Sequence, residues 1–135
     1  MPEVIEKSAW VHLHAGRLLA VRSHGRTRFY LPGGKPEPGE SPQQALVREI
    51  AEELGVALDP ATVVPVAVLE APADGKASGT VVRTSCFTAT GSGRPTPSAE
   101  IAELAWLSHG DRHRVSASTA ELLDRLAATG GLLRW

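Results

Sequence analysis

The sequence has little of several things. It holds one cysteine, Cys86, so no internal disulfide can form, which favours a reducing setting. It has no asparagine and a single tyrosine, Tyr30, and its aromatic share is only 4%. No stretch approaches the roughly 20 apolar residues of a membrane span. The N-terminal Met1-Pro2-Glu3-Val4-Ile5-Glu6 has neither a basic start nor a long apolar run, so no signal peptide is expected. A formal net charge of −1 excludes the strongly basic balance of a bulk nucleic-acid binder and gives no ground for general adhesion to anionic membranes. The expectation is a cytoplasmic protein with neither partner.

What is present is an ordinary globular composition, 42% hydrophobic and 21% charged over 135 residues, enough for one domain spanning 1–135 with its own core. Residues 4–14 read as a strand, Ala15-Gly16 as a tight turn, and Arg17–Arg22 as the second arm of a hairpin. Ser23–Arg28 reads as a basic loop, Phe29-Tyr30-Leu31 as a short strand, and Pro32-Gly33-Gly34 as a turn or loop. Strands follow at Val63–Leu69, Thr80–Thr90 and Ile101–Leu107, with loops at Asp74–Gly79 and Gly91–Ser98. Two helices are expected. Ser41 as N-cap, Pro42 at the first helical position, Gln44 completing a capping box and Gly55 past the end bracket a helix over about 42–54, with Leu46, Ile50 and Leu54 on one face. A second runs over about 116–128. The order of elements predicts an α/β or α+β domain with a mixed sheet.

The first helix carries a feature that its own stability does not explain. Glu49, Glu52 and Glu53 fall at i, i+3 and i+4, where each like-charge pair costs about 0.2–0.5 kcal/mol. They occupy its C-terminal half, where the dipole disfavours anions. Glu49 and Glu53 also border the apolar stripe, and only Arg48 is near, spaced to pair with Glu52. A hard divalent cation such as Mg²⁺, which takes carboxylate oxygens together with substrate phosphates, fits this cluster. An ordinary acidic helix surface is the plainer alternative.

The flanking residues decide between them. Gly34, Glu40 five residues on, and Arg48-Glu49-Ile50-Ala51-Glu52-Glu53-Leu54-Gly55-Val56 seven further complete the 23-residue signature of the Nudix hydrolases, Gly-x5-Glu-x7-Arg-Glu-U-x-Glu-Glu-x-Gly-U with U aliphatic. At residue frequencies of about 5–7%, the seven fixed positions match at a given start with probability on the order of 10⁻⁹. The Leu31-Pro32-Gly33-Gly34 lead-in and the Glu-containing segment before Trp106 also look like the family; residues 57–98 and the C-terminus look less so.

The resemblance implies an α/β/α sandwich with a mixed central sheet. It also implies Mg²⁺- or Mn²⁺-dependent attack of water on a pyrophosphate bond of a small nucleoside diphosphate derivative. The metal ligands implied are Glu49, Glu52 and Glu53, a carbonyl of Gly33 or Gly34, and Glu100 as a distal ligand or base; Glu49 and Glu53 are further candidates for the base. Glu103 is the rival to Glu100, with a solvated strand position as its plainer role. Arg48 would orient the carboxylates, and Glu40 would brace the loop against the helix. The substrate's negative charge calls for fixed positive charge, and Arg22, Arg26, Arg28 and Lys35 are the candidates for contacting it, in a stretch from Lys7 to Pro36 with no acid. An intact box speaks against the alternative of a catalytically silent Nudix-fold module that binds a nucleotide or a protein.

The substrate is less marked. Pro72, after residues 57–71, stands where members active on ADP-ribose tend to carry proline. The tyrosine of dinucleoside-polyphosphate hydrolases is absent, and no asparagine is available to read an oxidised purine. A nucleoside triphosphate and a nucleotide sugar both stay open. His12 and His14 share a strand face but lack a cysteine partner for a transition metal. Cys86 and Trp106 are expected in the core. Gly130–Trp135 reads as a frayed tail or as a contact in a homodimer, dimers being common in the family.

The charge is unevenly shared. Residues 34–56 hold Glu37, Glu40, Glu49, Glu52 and Glu53 against Lys35 and Arg48, a net of −3, so the remainder is +2.

Overall fold

The computed structural model describes residues 3–73 and 79–131. Most of the loop expected at Asp74–Gly79 (residues 74–78) and the end of the tail expected to fray or to contact a second subunit (residues 132–135) lie outside the described residues.

The described residues form nine strands and two α-helices: β1 (Val4–Trp10), β2 (Leu13–His14), β3 (Arg17–Ser23), β4 (Gly33–Gly34), α1 (Pro42–Leu54), β5 (Ala57–Leu58), β6 (Val64–Pro72), β7 (Val81–Thr88), β8 (Gly91–Ser92), β9 (Ile101–Leu107) and α2 (Ala117–Ala128). Short 3₁₀ turns cover Pro60–Thr62 and His109–Arg114. The order β4-β1-β7-β6 makes a mixed sheet in which β1 and β7 run parallel, and β2-β3-β9 makes an antiparallel one.

Side chains alternate across these strands and fill two cores. Ala9, Leu18, Ala20, Cys86 and Leu107 pack with Leu122 and Leu123 of α2. Their neighbours Trp10, Leu19, Val21 and Phe87 pack with Leu46, Ile50 and Leu54 of α1. Helices on both faces of the strand layer give the α/β/α sandwich. Within that layer the mixed sheet expected from the sequence is accompanied by the antiparallel one, because the chain leaves β1 at Val11-His12 and starts β2 there. Residues 4–14 are therefore not one strand.

Helix α1 begins and ends as its sequence dictates. The Gln44 N–H donates to Ser41 Oγ at 3.1 Å and the Ser41 N–H to Gln44 Oε1 at 2.9 Å. Gly55 closes it in the left-handed conformation, with φ 67°. Helix α2 starts at Ala117 behind the N-cap Ser116.

Several local expectations need correction. Gly33-Gly34 is not a turn but a strand paired with Ser8 and Ala9 of β1. The approach is so close that a β-carbon on Gly33 would overlap the Ser8 carbonyl oxygen, and φ 147° there suits glycine alone. Phe29-Tyr30-Leu31 forms only isolated bridges, Tyr30 to Val21 and Phe29 to Val115. Gly91-Ser92 is not loop but β8, paired with β5. Trp106 is 37% exposed rather than core: its ring lies beside His12 and His14, with centroids 5.6 and 5.9 Å away. Cys86 is fully buried, and burial pushes its thiol up to about 11. No helix among the described residues is long and apolar enough to cross a membrane.

Candidate active site

The last two turns of α1 place three carboxylates in different environments. Glu53 is 3% exposed although it is acidic. Its neighbours Ile50 and Leu54 are fully buried, so the helix face that enters the core carries this side chain in with it. Among the described residues its carboxylate receives one hydrogen bond, from the Gly33 N–H at 3.0 Å. Burial first, then the charges of Glu49, Glu100 and Glu52, push its pKa up to about 8 against the lowering effect of that bond. Glu49 is 15% exposed, whereas Glu52 is 55% exposed. Gly34 faces Glu49 so closely that a β-carbon on it would overlap the Glu49 carboxyl group.

Arg48 ties this cluster to the preceding loop. Its Nε and Nη2 donate to the two oxygens of Glu40, each at 2.8 Å, its Nη1 donates to Glu49 Oε1 at 2.8 Å, and Nη2 reaches the Lys35 carbonyl at 3.1 Å. Glu52, the partner suggested by helix spacing, is more distant at 3.4 Å. The fork holds the Glu40 carboxyl down to about 2, and the surrounding carboxylates raise the pKa of Arg48 in return.

Glu100 is held beside Glu53 by the backbone. The Thr96 and Ser98 N–H groups donate to the Leu54 and Glu53 carbonyls, each at 3.0 Å, satisfying two of the acceptors a helix leaves free at its end. The Glu100 carbonyl then receives the His24 N–H at 3.0 Å, joining this turn to the basic loop. Glu103 instead faces Arg22 across the β3–β9 pair, at 2.8 Å.

The four basic candidates divide. Arg22 is engaged with Glu103 and with the Arg26 carbonyl at 2.8 Å. Arg28 donates to the Val115 and His113 carbonyls at 3.1 and 3.4 Å, beside the place where the Phe29 N–H donates to the Arg114 carbonyl and the Ser116 N–H to the Phe29 carbonyl. Both are thus engaged with the frame, Arg22 through Nε and Nη1 and Arg28 through Nη1. Burial lowers the pKa of Lys7, and Lys35 and Arg26 lie near enough to lower it further. Lys7 and Tyr30 were not singled out as site residues, yet both feel the charges of Glu53 and Glu100. The signal for Lys7 was a base on the strand face shared by Ile5 and Ala9; for Tyr30, whose hydroxyl bonds Ser23 Oγ, there was none beyond its place before the box.

The donor set suits a hard cation. Among the described residues Glu53 is a buried carboxylate without a cationic partner, and Gly34 leaves the Glu49 carboxylate the space a side chain would take. Among the described residues no three acidic, histidine or cysteine side chains already converge on one point. Glu49 has its Oε1 bonded to Arg48, while its Oε2 lies against Gly34.

The model of the NUDIX domain matches residues 7–126. The chain belongs to the Nudix family. The solution structure of the E. coli ORF135 protein superposes with a TM-score of 0.74 at 27% identity, covering 96% of this chain and 92% of that one. The Nudix chain is also 49% identical over 37 residues to an 8-oxo-dGTP diphosphatase of Escherichia coli (strain K12), 27% of this chain and 29% of that protein. It is 44% identical over 41 residues to an RNA pyrophosphohydrolase of Proteus mirabilis, 30% of this chain and 23% of that protein. The matches thus span under a third of either curated relative.

Proposed function

We propose that this Nudix protein is a pyrophosphohydrolase that uses Mg²⁺, with Mn²⁺ as a substitute, to direct water onto a pyrophosphate bond of a small nucleoside diphosphate derivative. The observation that carries the reading is the buried Glu53 carboxylate, bonded by the Gly33 N–H and flanked on the same helix by Glu49 and Glu52. Burying a carboxylate without a cation is costly, and a divalent ion removes that cost. The family membership and the names of the relatives support the same reaction class.

Glu49, Glu52 and Glu53 would hold the ion, with a Gly33 or Gly34 carbonyl and Glu100 as further donors. Bound there, it would screen the phosphates and acidify the attacking water. Arg48 sets the Glu49 carboxylate through their 2.8 Å bond and is itself held by Glu40. Glu100, Glu49 and Glu53 are the candidates to accept the water's proton. Arg26 and Lys35 supply positive charge for the phosphates.

A panel of nucleoside triphosphates and nucleotide sugars, incubated with Mg²⁺ or Mn²⁺ and the products identified by mass, tests the reading and locates the cleaved bond. Turnover that disappears with chelator is expected. Tight binding with no turnover of any compound would replace it with the silent-module reading.

A further inference from the structure

A groove of about 460 Å³ borders the carboxylate helix, with Ile5, Lys7, Lys35 and Pro42 among its walls. It opens where β4 gives out, since β4 pairs with β1 only at Ser8 and Ala9. Two glutamates also line it, and both are neutralised. Glu6 is paired with Arg83 at 3.0 Å, and Glu40 is held in the fork of Arg48. The two ammonium groups are different: among the described residues neither Lys7 nor Lys35 has a carboxylate within ion-pairing distance. Lys7 is half-buried on β1, which makes an unpaired charge there costly. Lys35 follows Gly34, which lies directly against the Glu49 carboxyl group, so this end of the groove adjoins the carboxylates of α1.

We propose that Lys7, with Lys35, forms an anion subsite for the terminal phosphate of the substrate and selects a nucleoside 5′-triphosphate over a nucleotide sugar. This rests on the reading of the α1 carboxylates as a pyrophosphohydrolase site. A triphosphate ends in a dense, multiply charged group that two ammonium groups can match; a nucleotide sugar presents hydroxyls at the same end and leaves the half-buried Lys7 unmatched. Lys7 therefore acts on binding and selectivity, not on the proton transfer.

The test is binding in the presence of Mg²⁺, measured by calorimetry on the full chain, with a methylene-bridged nucleoside triphosphate analogue and with ADP-ribose. Lys7→Met, which keeps the apolar stem, is expected to raise the Kd for the triphosphate analogue about ten- to hundred-fold. Selectivity for it over ADP-ribose should fall, and Lys7→Arg should recover most of the affinity. Circular dichroism and melting of each variant verify the fold, and Lys7→Gln repeats the measurement should the methionine variant melt early. Unchanged triphosphate affinity in both neutral variants, or equal losses for the two ligands, overturns the proposal. So does a native protein that does not bind the triphosphate analogue. If the native protein binds the analogue through Lys7 but hydrolyses no nucleotide, the subsite stands and the hydrolase reading falls.

Discussion

The backbone N–H of Gly33 donates to Oε1 of Glu53 at 3.0 Å, joining a two-residue strand to the last turn of a helix. That bond holds in the apolar interior a carboxylate that contributes nothing to packing a helix of its own. Glu53→Gln keeps the acceptor for Gly33 and removes the charge. The variant is expected to melt no earlier than the native protein in chelator, while losing activity on the order of 10²–10⁴-fold. Calorimetric melting and initial rates, taken on one preparation, check both halves.

Neighbouring glycines should separate strand geometry from site geometry. Gly33→Ala drives a β-carbon into the Ser8 backbone at a φ foreign to alanine, so a loss of roughly 1–3 kcal/mol in denaturant unfolding is expected, with activity lost too. Gly34→Ala meets the Glu49 side chain, which can move, so the fold should survive with activity reduced.

Acid stability should report the Glu40–Arg48 fork. The Glu40 carboxyl is held at about 2 against an ordinary 4.5, so its stabilising effect is complete above pH 4.5 and is lost as pH falls through about 2. Glu40→Gln should flatten the fall in denaturant midpoint across that window. Arg48→Lys should flatten it as well, since an ammonium cannot reproduce the two parallel bonds.

Glu100 and Glu103 make a matched pair of tests. Glu103→Gln breaks one exposed pair with Arg22, worth about 0–1 kcal/mol, and its kcat should stay near native. Glu100→Gln should lower kcat at least ten-fold with little change in melting. Steady-state kinetics and melting curves of both variants provide the comparison.

Helix α1 and the box were legible in the sequence because what defines them is local: Ser41 and Gln44 cap, Leu46, Ile50 and Leu54 face inward, and Gly55 ends the helix. The pairings were not local. Nothing in residues 4–14 announces that the chain changes sheets at Val11-His12, or that Gly33-Gly34 lies against β1. Trp106 was expected inside from its size, but its strand face meets two histidines at the surface. Among the bases, sequence proximity to the box grouped Arg22 and Arg28 with Arg26 and Lys35. The partners that occupy the first two come from β9 and from residues 113–115, distant in the chain. Lys7 was missed for the converse reason, since it reaches the site from a strand well before the box.

The central claim is that the α1 carboxylates bind a divalent cation to hydrolyse a pyrophosphate bond. Its most direct test is the rate of nucleotide hydrolysis by native protein and Glu53→Gln as Mg²⁺ is titrated from excess chelator to saturation. Turnover by the native protein that rises with Mg²⁺ and is abolished by chelator, with almost none in the folded variant at any concentration, is the predicted result. Undiminished activity in chelator, or a fully active Glu53→Gln, would contradict it.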